Sequence, residues 1–180
     1  MRQRVSDGGR AKNIALYGGS FNPPHEGHRE IIRCVARRKT IDEVWVLPVF
    51  KHPFHKKMTP FAERLRWCRR AFGDLGPKVK VKDLERRLGG ISWTIRLVRH
   101  LRKKYLQISF SLILGDDTYR QRNSWKNFPD IRKMVSLIVF PRGPKSPIPD
   151  VSSTEIRRNP SLRLTFQRRD CKKQIHTLCR

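Results

Sequence analysis

The chain reads as an α/β protein: a mostly parallel central sheet covered by helices on both faces. Three observations predict this. Apolar residues gather into short blocks (14–17, 44–50, 108–114 and 136–140) too hydrophobic to face water. Stretches with helical spacing separate these blocks. The resulting β-α-β alternation requires crossover connections, and these lay helices on both faces of the sheet. At 180 residues, one domain or at most two small ones can hide roughly two thirds of the unfolded surface, so no metal or disulfide staple is required.

The elements follow in chain order. Residues 14–17 form a short buried-type strand that runs into a Gly-Gly turn. Residues 29–38 place Ile31, Ile32, Val35 and Ala36 at helical spacing, and residues 43–50 form a second strand. Phe61, Leu65, Cys68 and Phe72 recur at i, i+4, i+7 and i+11, one face of a helix. Val79 and Val81 alternate with lysines as a half-exposed strand. Ser92 is placed to cap a helix that buries Ile95, Val98, Leu101 and Tyr105. Residues 108–114 and Ser136–Phe140 are two more strands, with a short helix around 128–135 between them. A Pro-rich loop, PRGPKSPIP at 141–149, leads to VSSTEIR at 151–157, a helix start rich in capping hydroxyls. A polar, basic lead (1–11), a domain (12–158) and a basic tail (159–180) divide the chain, and no internal repeat is visible.

Composition excludes several classes. No apolar run reaches 18 residues, and the N-terminal dozen lack the hydrophobic stretch of a signal peptide, against membrane spanning or secretion. Cys34, Cys68, Cys171 and Cys179 show no CxxC spacing and no paired histidine, so neither a zinc site nor a disulfide framework is expected, and a reduced cytoplasmic protein is. The anomaly is charge: 41 Lys+Arg against 15 Asp+Glu, net +26. Such a field attracts polyanions, whether nucleic acid, anionic membrane or nucleotides, without choosing among them.

The choice comes from GGSFNPPHEGH at 18–28. It follows a strand and precedes a helix, where a parallel sheet binds phosphates. Glycines permit close backbone approach, and the helix aims its N–H groups and positive dipole end at the ligand. His25 and His28, three apart in the first turn, share a face and can donate to triphosphate oxygens. A metal pair is the competing reading, but it needs a third ligand, and Glu26 points elsewhere on the helix. VSSTEIR forms a second anion cradle, with hydroxyls and backbone N–H groups at a helix start and Arg157 one turn on. By itself it would be an N-cap followed by a surface arginine. Its occurrence about 125 residues after the first motif makes the pair informative.

GGSFNPPHEGH resembles the GG(T/S)F(D/N)PxHxGH signature of the nucleotidyltransferase superfamily, and VSSTEIR resembles its ISSTxIR. The resemblance implies a Rossmann-like three-layer sandwich and nucleotidyl transfer from a nucleoside triphosphate. Within that superfamily, three further segments resemble nicotinate-nucleotide adenylyltransferase. PFHK at 53–56 is similar to PPHK; ISWT at 91–94 is similar to (P)SYT, with Trp93 for tyrosine; and LGDDT at 114–118, followed by Ser124 and Trp125, is similar to (I/L)GxD…TW. The pantetheine-phosphate type shares the two terminal motifs but should lack this middle set. The chain departs from the family pattern at Lys126, where a second aromatic is usual, and after Arg158, where Asn159-Pro160 stops the helix and the family's closing segment is not recognisable.

The resemblance implies roles position by position. His25, His28 and Arg157 are expected to act on the ATP phosphates, with Gly18, Gly19, Ser20, Phe21, Ser152, Ser153 and Thr154 around them. Gly115 and Asp117 are expected near the adenosine. Asn22, His55, Lys56, Thr94 and Trp125 are expected to bind the mononucleotide, Thr94 at the pyridine ring's carboxylate or amide and Trp125 stacked on that ring. The polar neighbours Asn123, Ser124 and Lys126 argue against a core role for Trp125; for Lys56 a solvated charge is the competing reading. Magnesium is expected to arrive bound to ATP, with no protein metal site. Nicotinamide mononucleotide is the alternative substrate. The rival from another class, a basic nucleic-acid-binding protein, is disfavoured because the cations spread over every helix without an RNP-like aromatic set or zinc finger.

Overall fold

The computed structural model describes residues 11–141, 146, 148–149 and 152–159; the N-terminal lead up to residue 10, Val151, parts of the Pro-rich loop and the tail from residue 160 lie outside them. Five strands, β1 (Asn13–Gly19), β2 (Glu43–Pro48), β3 (Val79–Val81), β4 (Ser109–Gly115) and β5 (Ser136–Phe140), form one sheet in the order β3-β2-β1-β4-β5. Every pairing is parallel. The helices are α1 (Glu26–Arg37), α2 (Phe61–Phe72), α3 (Leu84–Leu88), α4 (Thr94–Lys104), α5 (Asp116–Arg120), α6 (Phe128–Met134) and α7 (Ser153–Arg158).

Side chains alternate across a strand, and β1 shows the result. Ala15 and Tyr17 join one core with Ile31, Ile32 and Val35 of α1 and Cys68 and Phe72 of α2. Ile14 and Leu16 join the other core with Ile95, Val98 and Leu101 of α4 and Ile131 of α6. Both faces of the sheet are therefore covered, and the three-layer Rossmann-like sandwich expected from the sequence is the fold.

Several local expectations need correction. The first helix runs Glu26–Arg37 with His25 at its cap position, so the turn holding His28 continues into the period of Ile31, Ile32 and Val35. Ser92 does not cap α4; Trp93 occupies the cap position, and the Ser92 hydroxyl accepts from the Phe50 N–H at 2.9 Å. The short helices α3 and α5 and the 3-10 turn Arg122–Ser124 escaped the sequence reading, being too short to show a period. Ser152 does cap α7, accepting from the Glu155 N–H, with the Glu155 carboxylate returning to the Ser152 N–H at 3.1 Å.

The sheet order places a ligand crevice. The strand order reverses at β1, whose neighbours are β2 on one side and β4 on the other. Pairing of β1 with β4 stops at Leu16 and Leu112. Pairing of β1 with β2 continues to Gly19 and Pro48, and that of β4 with β5 to Gly115 and Phe140. The carboxyl ends of β1 and β4 thus diverge at the topological switch point, where open α/β sheets bind ligands.

Candidate active site

The first motif lines one wall of this crevice. Gly18 and Gly19 are the last residues of β1. A Cβ at Gly18 would meet nothing within 4 Å, whereas one at Gly19 would meet the Phe21 ring at 3.0 Å. Phe21 turns the chain with φ 44°, and its ring is 1% exposed, edge-on to His28 at 4.9 Å between centroids. Its side chain therefore belongs to the core and steadies His28; only its backbone faces the turn.

The His25 and His28 rings lie with their centroids 3.6 Å apart. His25 occupies the N-cap position of α1 and is buried. Its N–H donates to His28 Nδ1 at 3.2 Å. That bond makes Nδ1 an acceptor, which leaves Nε2 as the ring nitrogen that can donate.

The second motif docks onto the first. Arg157 donates from Nη1 to the Asn22 carbonyl at 2.5 Å and from Nη2 to Thr154 Oγ1 at 3.0 Å. The Ser153 hydroxyl donates to the Pro23 carbonyl at 2.8 Å. A Cβ on Gly27 would lie 3.0 Å from the Pro149 carbonyl and 3.2 Å from the His25 ring, so glycine there lets the approach to α7 lie close against α1. Both motifs share one corner of the molecule, and Ser152, Ser153 and Thr154 open α7 beside Asn22.

Three further segments carry the positions expected to bind the mononucleotide. Asn22 is buried, with Oδ1 accepting from the Thr59 N–H at 3.3 Å. His55, with φ 48°, and Lys56 stand exposed on the loop after β2. Isolated bridge pairing of Lys51 with Ile91 draws that loop to ISWT. There Trp93 meets the exposed Phe54 edge-on at 6.4 Å, and the Lys126 ammonium lies 5.6 Å from the Trp93 ring centre. Thr94 is the first residue of α4, and no side chain caps that helix start. Trp125 is half-buried, edge-on to Phe128 at 5.9 Å, at the margin of the second core. Its polar neighbours argued against any core role; the ring has one on its inner edge. Gly115 ends β4 at the crevice, and Asp117 is exposed on α5, its Oδ1 facing the Thr118 hydroxyl at 3.5 Å.

Two buried ionisable side chains near these segments escaped the sequence reading. Arg64 is 1% exposed, with three bonds to backbone carbonyls around the crevice. Its signal was present: position 64 is i+3 from Phe61 and i−4 from Cys68, so the helical period put a cation on the buried face of α2. Glu85 is the other. Its carboxylate accepts from Ser92 and, despite that bond and nearby Arg96, burial pushes its pKa up to about 7.

Residues 16–159 match the cytidylyltransferase-like family. Over 155 residues the chain is 37% identical to the probable nicotinate-nucleotide adenylyltransferase of Anaeromyxobacter dehalogenans (strain 2CP-C), covering 81% of this chain and 82% of the relative. The probable enzyme of the same name from Sulfurimonas denitrificans is 32% identical, covering 91% and 92%. Among solved structures, the Plasmodium falciparum nicotinic acid mononucleotide adenylyltransferase complexed with NaAD superposes with a TM-score of 0.69 at 22% identity, covering 82% of this chain and 83% of that one. A putative nicotinate-nucleotide adenylyltransferase from Vibrio parahaemolyticus gives 0.66 at 23% identity, covering 82% and 79%. These two likenesses confirm the fold, and the sequence relatives carry the family: this chain belongs to the cytidylyltransferase-like proteins and, within them, to the nicotinate-nucleotide adenylyltransferases.

Proposed function

We propose that the protein transfers the adenylyl group of ATP to nicotinate mononucleotide, giving nicotinate adenine dinucleotide and pyrophosphate, a step of NAD biosynthesis. The observation that carries this reading is the joining of the two anion-binding motifs: Arg157 and Ser153 of one are bonded to Asn22 and Pro23 of the other at the mouth of the β1/β4 crevice.

The mononucleotide's phosphate oxygen attacks the α-phosphorus of ATP in line, and pyrophosphate leaves. Phosphate is already a competent nucleophile, so the protein's task is positioning and neutralising the charge that builds on the leaving group. His28 donates from Nε2, Arg157 supplies a fixed cation, and the start of α1 adds N–H groups and its dipole. ATP enters with its Mg²⁺ as part of the substrate. Gly115 and Asp117 flank the adenosine, and Trp125 presents a ring face to the pyridine while its inner edge rests on Phe128.

The nicotinate form is favoured over nicotinamide by the uncapped start of α4 beside Thr94. Backbone N–H groups satisfy a carboxylate, whereas an amide NH₂ needs an acceptor. We expect kcat/KM at least about tenfold higher for nicotinate mononucleotide, one good charge-assisted bond's worth. Equal use of nicotinamide mononucleotide would overturn the preference; no pyrophosphate from either would overturn the activity. Two finer readings accompany this one. Cys34 and Cys68 are free buried thiols, in keeping with a cytoplasmic setting. The net charge of +26 favours non-specific association with polyanions, which a salt titration on random DNA reads directly.

A further inference from the structure

We propose that Arg64 is a positioning residue for adenylyl transfer: its guanidinium ties the phosphate-binding turn to both ends of the loop spanning residues 49–59, and so fixes the mutual placement of the two substrates. Among the described residues it is the largest of the fully buried side chains, 1% exposed. Its Nη1 donates to the Ser20 carbonyl, Nη2 to the Val49 carbonyl and Nε to the Thr59 carbonyl, each at 2.8 Å. Ser20 lies within GGSFNPPHEGH. Val49 follows β2 where the chain leaves the sheet, and Thr59 immediately precedes the turn into α2. One rigid, planar group thus gathers three segments that are distant in sequence.

Other contacts lock the same joint. The Val49 N–H donates to the Gly19 carbonyl at 2.9 Å, and the Thr59 N–H to Asn22 Oδ1 at 3.3 Å. Phe61 faces the guanidinium at 5.6 Å. Between the two anchored ends the loop carries His55 and Lys56 into solvent.

A purely structural role would be served by leucine at this position of an apolar helix face, since burying a cation carries a desolvation cost that a hydrophobe avoids. Only arginine offers five donors in a fixed fork. Lysine keeps the charge but cannot span three carbonyls in one plane. The geometry is therefore that of a spacer between the ATP turn and the mononucleotide loop. This inference rests on the adenylyl-transfer reading for what the loop serves, though not for the joint itself.

The test uses the full chain and four variants, Arg64→Lys, Arg64→Leu, Arg64→Gly and the distant surface control Lys103→Gln. Wild-type turnover is measured first, so absence of any activity condemns the functional reading and leaves the joint to be judged by proteolysis. For Arg64→Lys we expect kcat lowered about 30-fold, in line with small misplacements of reacting groups. KM for ATP should change less than about threefold, as the triphosphate cradle itself keeps His28 and Arg157. Trypsin should cut after Lys56 or Lys57 faster in every Arg64 variant than in wild type or the control, as the loop's anchors are lost. Millimolar guanidinium should restore part of the activity of Arg64→Gly and none of that of Arg64→Leu, whose side chain fills the space. Wild-type kcat and wild-type cleavage in a folded Arg64→Lys protein would overturn the proposal. So would losses that track only the fall in melting temperature, with no guanidinium rescue and no change in loop cleavage.

Discussion

Replacing Glu85 by glutamine should remove a pH dependence of stability that the fold creates. Glu85, a residue of α3, is 7% exposed and accepts from the Ser92 hydroxyl. Burial raises its pKa from 4.5 to about 7, outweighing Ser92 and Arg96, which both favour the carboxylate. The native chain therefore holds a proton that the unfolded chain releases between those two values. Stability contributed by the neutral acid is complete below about pH 4.5, falls as pH rises through the window, and is lost above about 7. A gap of this size corresponds to about 3 kcal/mol at 1.36 kcal/mol per pH unit. Glutamine retains a hydrogen-bonding carbonyl for Ser92 but does not ionise. At pH 8.5 we expect Glu85→Gln to be more stable by up to about 3 kcal/mol, or roughly 6–12 °C in melting temperature for a chain of this length. At pH 4.5 the two proteins should agree within about 0.5 kcal/mol, the range of an ordinary conservative change. Urea unfolding at half-unit steps across this range measures both arms. Parallel profiles for the two proteins, or a variant less stable at high pH, would refute the assignment of the proton to Glu85.

Two substitutions test the crevice. His28→Ala should lower turnover by about two orders of magnitude or more, because a donor to the leaving pyrophosphate strengthens as charge develops; circular dichroism should show an intact fold, and near-normal steady-state rates would remove His28 from the mechanism. Trp125→Ala should raise KM for the pyridine mononucleotide more than KM for ATP, stacking being worth on the order of 1–3 kcal/mol. Because its inner edge rests on Phe128, a small fall in melting temperature should accompany the change, and equal effects on both substrates would assign the ring to the fold alone.

The fold was legible because its strands are buried on both faces, so each announces itself as an apolar block, and the helices between them are long enough to show a period. What stayed hidden was short or owed its place to tertiary contacts. α3 and α5 each span five residues, less than the window a 3.6-residue period needs. Ser92 looked like a helix cap because serine before a helix usually is one. In the folded chain its hydroxyl is claimed by the Phe50 N–H of the segment after β2, and no local pattern contains that partner. The phosphate motifs were legible by type and spacing, since glycine, histidine and a capped arginine carry their chemistry on the surface of the sequence. Phe21 shows the limit: one motif contains a ring that serves the core and a backbone that faces the turn, and only the burial of the side chain separates the two.

The meeting of the two motifs also explains how so small an element as α7 persists. A helix of six residues falls far below the roughly 12–15 needed for marginal stability in isolation. Its internal capping box satisfies the first turn, and Ile156 buries its single apolar side chain in the molecule. The remaining support comes from the first motif, through the bond from Ser153 to Pro23 and that from Arg157 to Asn22. Those same residues stand where the triphosphate is proposed to bind, so the contacts that hold α7 in place also set the direction of the Arg157 guanidinium. Two of its donors are engaged by the protein, and the planar fork leaves others for phosphate oxygens. Arginine thus serves twice in this reading: it bridges 135 residues of sequence while also holding Thr154, and its remaining donors face the proposed triphosphate site. A lysine keeps the charge without the planar fork that does both.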